Sequence, residues 1–181
     1  MAQTGLRAES PMAKAVSDKR RDDWGGDSVR IRLATSGDLD AIVALTEAAY
    51  APYTKLFGAP PLPVTEDYGP HIERGGVWLL EEDDRLTGLI VLEEESDHML
   101  IFSVAVAPEF QGKGYGIKLL TWAEKEARED GFDEIRLFTN SRMERNIALY
   151  KSFGYSEIGR RPNSRRPGWI LVDMVKKIDA A

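Results

Sequence analysis

Two hydrophobic periods alternate along the chain, and each change of period marks an element. Val29-Arg30-Ile31-Arg32-Leu33 places apolar groups at every second position, the pattern of a half-buried strand. Leu39, Ile42, Val43, Thr46 and Ala49 then recur at helical spacing. Thr35 stands ahead of this run with Asp38 three residues later, a start resembling a capping box, and Pro52 predicts an end near Tyr50. Residues 51–63 contain four prolines and a glycine and read as a shaped loop. A second helix is expected from about Thr65 to Glu73, disturbed by Gly69-Pro70. Strands at Val77 to Glu82 and Leu86 to Glu94 flank an Asp83-Asp84 turn and form an antiparallel hairpin. His98 to Val106 is a third apolar, β-forming run. After a Pro- and Gly-bearing loop over 107–116, Ile117 to Asp130 is helical and stops at Gly131. Glu134 to Thr139 is a strand, Asn146 to Phe153 a short helix stopped by Gly154, and Tyr155 to Gly159 and Trp169 to Val175 a closing pair of strands.

The order β-α-α-β-β-β-loop-α-β-α-β-β predicts a single α/β (α+β) domain over residues 28–178. Its sheet is mixed and mostly antiparallel, with helices on both faces. The strands at 98–106 and 134–139 are joined through a helix, so they should run parallel. Residues 1–27 are polar, hold few large apolar groups and end in Trp24-Gly25-Gly26-Asp27; they read as a flexible N-terminal extension.

Composition narrows the function by exclusion. A net charge of -6 over 181 residues argues against a nucleic-acid binder, which would carry a basic surplus. Cysteine is absent, which removes disulfides, thiolate metal sites and a Cys nucleophile, and only two histidines are present, so no metal site is expected. No apolar run approaches the roughly 18 residues that cross a bilayer, so no membrane partner is expected, and the N-terminus resembles neither a signal nor a transit peptide. A cytoplasmic protein is expected.

The strongest chemical signal is Gln111-Gly112-Lys113-Gly114-Tyr115-Gly116. Glycines let backbone N–H groups approach an anion closely, and the loop opens into a helix whose first N–H groups lack partners. Lys113 adds charge nearby, and Gln111 can fix the loop. The phosphate loop of nucleotide-binding proteins does not fit, because no Gly-Lys here precedes Ser or Thr. The dinucleotide fingerprint fails because position 119 is Leu. On spacing alone the glycines could equally serve only the shape of a turn.

The stretch from Val104 to Leu120 closely resembles the signature of the GNAT superfamily of acyl-CoA-dependent N-acetyltransferases: a strand, then Q/R-x-x-G-x-G/A, then a helix. Gln111, Gly114 and Gly116 fill the defining positions. Asn146-Ile147-Ala148-Leu149-Tyr150-Lys151-Ser152-Phe153-Gly154-Tyr155 resembles a second segment of that family. The resemblance covers roughly residues 29–177. It implies the GNAT-like fold, in which the strand ahead of the loop splays from its parallel neighbour. It also implies acetyl-CoA as co-substrate, its pantetheine held by backbone at Val104, Ala105 and Val106. The diphosphate is then held by Gln111, Gly112, Lys113, Gly114, Tyr115, Gly116 and Ile117, with Asn140 and Asn146 as further cofactor contacts. Asn140 could instead cap a turn, and Asn146 could cap its helix. Tyr150 matches the family's proton donor to the departing thiolate.

The implied function is transfer of acetyl to a primary amine of a small molecule or peptide by direct attack in a ternary complex. A non-catalytic acyl-CoA-binding sensor or interaction module is the alternative. Some family members carry a Glu on the strand before the loop, but Leu100-Ile101-Phe102-Ser103 offers no carboxylate. Glu93, Glu94, His98, His71 and Asp67 remain as bases, or none is needed if a little neutral amine is available. Tyr50, Tyr53, Phe57, Tyr68 and Trp78 supply aromatic surface for the acceptor or for the core. The acidic runs at 81–84 and 93–97 could attract a cationic amine. Arg160-Arg161 and Arg165-Arg166 are expected to flank the acceptor entrance or an adenosine phosphate. A homodimer is expected by analogy alone.

Overall fold

Neighbours in sequence pair into most of one sheet. The computed structural model describes residues 22–23 and 28–178. Its strands are β1 (Asp22–Asp23), β2 (Val29–Leu33), β3 (Val77–Glu82), β4 (Arg85–Glu94), β5 (Met99–Val106), β6 (Glu134–Asn140), β7 (Ser156–Pro162) and β8 (Ile170–Lys177). They lie in the order β1-β2-β3-β4-β5-β6-β8-β7. Every neighbouring pair is antiparallel except β5 and β6, which run parallel as their helical crossover requires. The mixed, mostly antiparallel sheet expected from the sequence is therefore the one that forms. β1 falls within the N-terminal stretch read as an extension and pairs with β2; the remainder of that stretch lies outside the described residues.

The helices are α1 (Leu39–Phe57), α2 (Gly69–Glu73), α3 (Tyr115–Glu129) and α4 (Glu144–Ser152). A 3-10 turn, Ser36–Asp38, leads into α1. There the Asp38 carboxylate accepts the Thr35 N–H at 2.8 Å and binds the Arg32 guanidinium through two hydrogen bonds of 2.8 and 2.9 Å. α1 does not end near Tyr50. It runs through Pro52 and stops at Gly58, whose left-handed backbone (φ 72°) lets its N–H bond the Thr54 carbonyl at 3.0 Å. Aromatic packing beyond Pro52 compensates for its missing donor: Tyr53 stacks on Phe57 with centroids 5.9 Å apart and meets Tyr50 at a tilt with centroids 6.3 Å apart. The helix expected over 65–73 splits into a 3-10 turn at Leu62–Thr65 and the short α2, with Pro70 in the first turn, where a missing N–H matters least.

α1 and α3 both pack on the β4–β5 centre of the sheet. Leu89, Ile90, Leu119, Leu120 and Ile135 are fully buried there, and Trp78 of β3 meets Trp122 of α3 at 4.9 Å.

The feature that positions the site is the divergence of β5 from β6. Their pairing runs from Met99 opposite Ile135 to Ile101 opposite Leu137 and stops. At the same level Val91 of β4 faces Ser103 while Leu92 faces Ile101, leaving Phe102 without a partner on β4. This bulge bends β5 away. Beyond it β5 pairs with β4 and β6 with β8, leaving a V between them.

Candidate active site

The mouth of the V is a cavity of about 550 Å³, a size typical of small-molecule sites. α1 contributes Tyr50 and Tyr53, and α4 contributes Arg145, Asn146 and Tyr150. Of the residues singled out from the sequence, Val104, Ala105, Val106, Gln111, Gly112, Gly114, Gly116, Ile117, Asn146 and Tyr150 come together in its walls. Lys113, Tyr115 and Asn140 are not among its lining residues. The Lys113 ammonium sits 4.9 Å from the centre of the Phe110 ring. The Tyr115 hydroxyl donates to Glu82, and that carboxylate pushes the phenol up to about 12.

The loop is shaped for an anion. Gly112 and Gly114 have φ of 76° and 85°, a region L side chains rarely adopt. A Cβ at either would meet no heavy atom within 4 Å, so the space beside them is open. Gln111 Nε2 donates to the Val106 carbonyl at 3.0 Å and ties the loop back to β5. The first bond of the α3 ladder runs from the Lys118 N–H to the Gly114 carbonyl at 3.1 Å. The earlier N–H groups, at Tyr115, Gly116 and Ile117, have no acceptor within the helix. Open glycines beside free helix-start donors fit a diphosphate.

A second, smaller cavity of about 50 Å³ lies between the Pro61–Pro63 turn, Phe102, Phe138 and Trp169. It shares Tyr50, Asn146 and Tyr150 with the first. The Tyr50 hydroxyl donates to the Val104 carbonyl at 3.1 Å, occupying part of the β5 edge that divergence left open. The Tyr53 hydroxyl donates to Asn146 Oδ1 at 3.0 Å, which fixes the amide. Tyr150 is only 6% exposed, and burial holds its phenol well above its ordinary value, as it does for Tyr50. Asn140 lines this smaller cavity and not the larger one; its Oδ1 accepts the Arg142 N–H at 2.9 Å, the turn-capping bond that its type favours.

Loops close over the smaller cavity. Arg165 Nη1 lies 3.3 Å from Glu66 Oε2, Arg166 Nη2 donates to the Pro60 carbonyl at 3.3 Å, and Phe57 meets Trp169 edge-on at 4.9 Å. The carboxylates and histidines weighed as bases are engaged elsewhere. Glu93 lies 3.3 Å from His71, Asp67 accepts the Gly69 N–H at 3.0 Å, and His98 lies 2.6 Å from Asp97. Neither these groups nor Glu94 line either cavity. Sequence reasoning missed Arg145; its one signal was a cation beside Asn146 in the first turn of a helix that follows the glycine loop.

The sequence pattern that defines the acetyltransferase (GNAT) family matches residues 42–155, more than half of the chain. The chain belongs to the GNAT family. Among relatives of this GNAT chain, ribosomal protein bS18-alanine N-acetyltransferase of Salmonella typhimurium is 32% identical over 84 residues, 46% of this chain and 57% of the relative. The match therefore spans little more than half of that relative. S-(2-succino)cysteine N-acetyltransferase of Bacillus subtilis is 29% identical over 161 residues, 82% of this chain and 96% of the relative. Solved structures share the fold. The PaiA N-acetyltransferase from Thermoplasma acidophilum in complex with coenzyme A has a TM-score of 0.66 at 21% identity, over 83% of this GNAT chain and 99% of that one. The ribosomal-protein-S18-alanine N-acetyltransferase from Escherichia coli has a TM-score of 0.65 at 21% identity, over 84% and 96%.

Proposed function

We propose that this GNAT chain moves an acetyl group from acetyl-CoA to a primary amine of a small molecule or peptide, by direct attack with both substrates bound. The observation that carries this reading is the meeting of two cavities at Tyr50, Asn146 and Tyr150: a large one with an anion cradle and a small one without. Such a junction is what a two-substrate transfer needs. The β5 backbone at Val104, Ala105 and Val106, where Tyr50 and Gln111 hold the Val104 and Val106 carbonyls, suits the pantetheine amides, which would extend β5 as an added strand does. The loop from Gln111 to Ile117 suits the diphosphate, and Arg145 adds a cation to the same wall.

Tyr150 lines both cavities, a position that suits a proton donor to the departing sulfur. Burial keeps its phenol protonated and able to donate. Complete transfer to a free thiolate is uphill by about 1.5 pKa units, or about 2 kcal/mol, even for an unperturbed phenol. The role of Tyr150 is therefore to meet charge as it develops on sulfur. The amine sheds one proton as the C–N bond forms, and that proton completes the thiol.

Tyr150→Phe should lower kcat roughly 100-fold while the Kd for acetyl-CoA, measured by calorimetry, stays unchanged. An unchanged kcat removes Tyr150 from the reaction. Binding of acetyl-CoA without thiol release on any amine would make the chain an acyl-CoA-binding module instead.

A further inference from the structure

Resting on that reading, we infer that the acceptor enters the smaller cavity uncharged. It is a weakly basic amine, an α-amino group beside an acyl carbonyl, and not an alkylammonium of the lysine or polyamine type.

The lining decides this. None of the residues around the smaller cavity carries a formal charge; its polar members are amides, phenols, one threonine hydroxyl and the Trp169 indole. Acidic groups on the neighbouring elements have partners already, and Glu144, which opens α4 beside the lining residue Met143, is exposed and does not line the cavity. On the α1–α2 connection, Glu66 lies 3.2 Å from His71 and 3.3 Å from Arg165. On β4, Glu93 lies 3.3 Å from His71 and 3.8 Å from Arg74. On β8, Asp173 lies 2.8 Å from Arg161. Positive groups at the rim are met by neutral partners. Arg166 bonds the Pro60 carbonyl and Thr65 Oγ1 at 3.3 and 3.4 Å. Arg142, on the β6–α4 turn, bonds the Leu56 carbonyl at 3.0 Å and lies 4.8 Å over the Phe57 ring. α4 adds Arg145 on the cofactor side.

An arriving ammonium therefore faces positive charge at the rim and no counter-ion inside. Desolvation without a partner favours the neutral amine. The same burial holds the Tyr50, Tyr68 and Tyr150 phenols uncharged. At pH 7 about one in ten α-amino groups is neutral, against about one in 2,500 lysine-type amines. Filtering by ionisation removes the need for a carboxylate on the 100–103 strand, where Phe102 lines the cavity.

The test follows thiol release by the full chain at saturating acetyl-CoA from pH 6 to 10. The acceptors are alaninamide, propylamine and a short peptide beginning with alanine. The expected kcat/KM levels at the amine's own pKa for alaninamide and the peptide and is still rising at pH 10 for propylamine, and at pH 7 alaninamide exceeds propylamine by on the order of 100-fold. A peptide faster than alaninamide identifies a chain N-terminus as the source, and a slower one a small amide. An inflection shared by all amines and fixed in pH, or propylamine matching alaninamide at pH 7, overturns the inference and points to a protein base. Acetyl-CoA binding with no thiol release on any amine overturns the acetyl-transfer reading itself, and this inference with it.

Discussion

At the scale of single residues, the anion cradle rests on Gly114, and its demand can be separated from mere backbone strain. Gly114 and Gly131 have nearly the same φ, 85° and 84°, and a Cβ at either would meet nothing within 4 Å. Valine in a left-handed conformation costs about 1–2 kcal/mol, so both substitutions should lower Tm by similar amounts. Only Gly114 borders the large cavity. Gly114→Val should therefore weaken acetyl-CoA binding at least about 10-fold, as a lost phosphate contact would, while Gly131→Val leaves it unchanged. Calorimetry on the pair checks this, and equal affinities in the two variants would remove the loop from the diphosphate site.

At the scale of elements, α1 is the arm that carries Tyr50 and Tyr53 to the site, and Asp38 anchors its start to β2. The two Arg32 hydrogen bonds hold the Asp38 carboxyl well below its ordinary 3.8. A group depressed in the folded state stabilises fully above its unfolded pKa and loses that contribution as pH falls through the folded one. Asp38→Asn should thus cost about 2 kcal/mol at pH 7, with the gap from wild type narrowing below about pH 4. Urea melts at pH 7 and pH 3 measure this; a gap that does not change with pH sinks the assignment. Most elements were legible in the sequence to within a few residues, because strict periods of two or of three to four record which face is buried. The failures have tertiary causes. Pro52 reads as a stop, yet α1 continues because Tyr53 and Phe57 extend a stacked face, and Gly58 is the true end. The bulge at Phe102 leaves no distinct mark in an apolar run interrupted only by Ser103, although it opens the V. The glycine loop was legible because glycines at 112, 114 and 116 stand out directly ahead of a helical period. The smaller cavity was not, since its walls come from positions as far apart as Tyr50 and Leu171.

At the scale of the whole molecule, that cavity exists because the α1–α2 connection meets the β7–β8 loop, an approach of segments about a hundred residues apart in the chain. The clasp is weak. Arg165 is 65% exposed, so its pair with Glu66 contributes at most about 1 kcal/mol and is screened by salt. The edge-on contact of Phe57 with Trp169 adds about 1 kcal/mol. The clasp borders the smaller cavity, where the acceptor is proposed to bind. On the proposed function, loosening the clasp should weaken the acceptor and not the donor. Arg165 lines neither cavity, so Arg165→Ala isolates the effect. The variant should raise acceptor KM about 2–5-fold, the equivalent of losing up to about 1 kcal/mol, with acetyl-CoA Kd unchanged and faster hydrogen exchange over residues 60–68 and 163–169. Raising salt from about 0.05 to 0.5 M should produce the same rise in wild type and almost none in the variant. An identical salt response in the two proteins would mean that the Glu66–Arg165 pair does not hold the clasp.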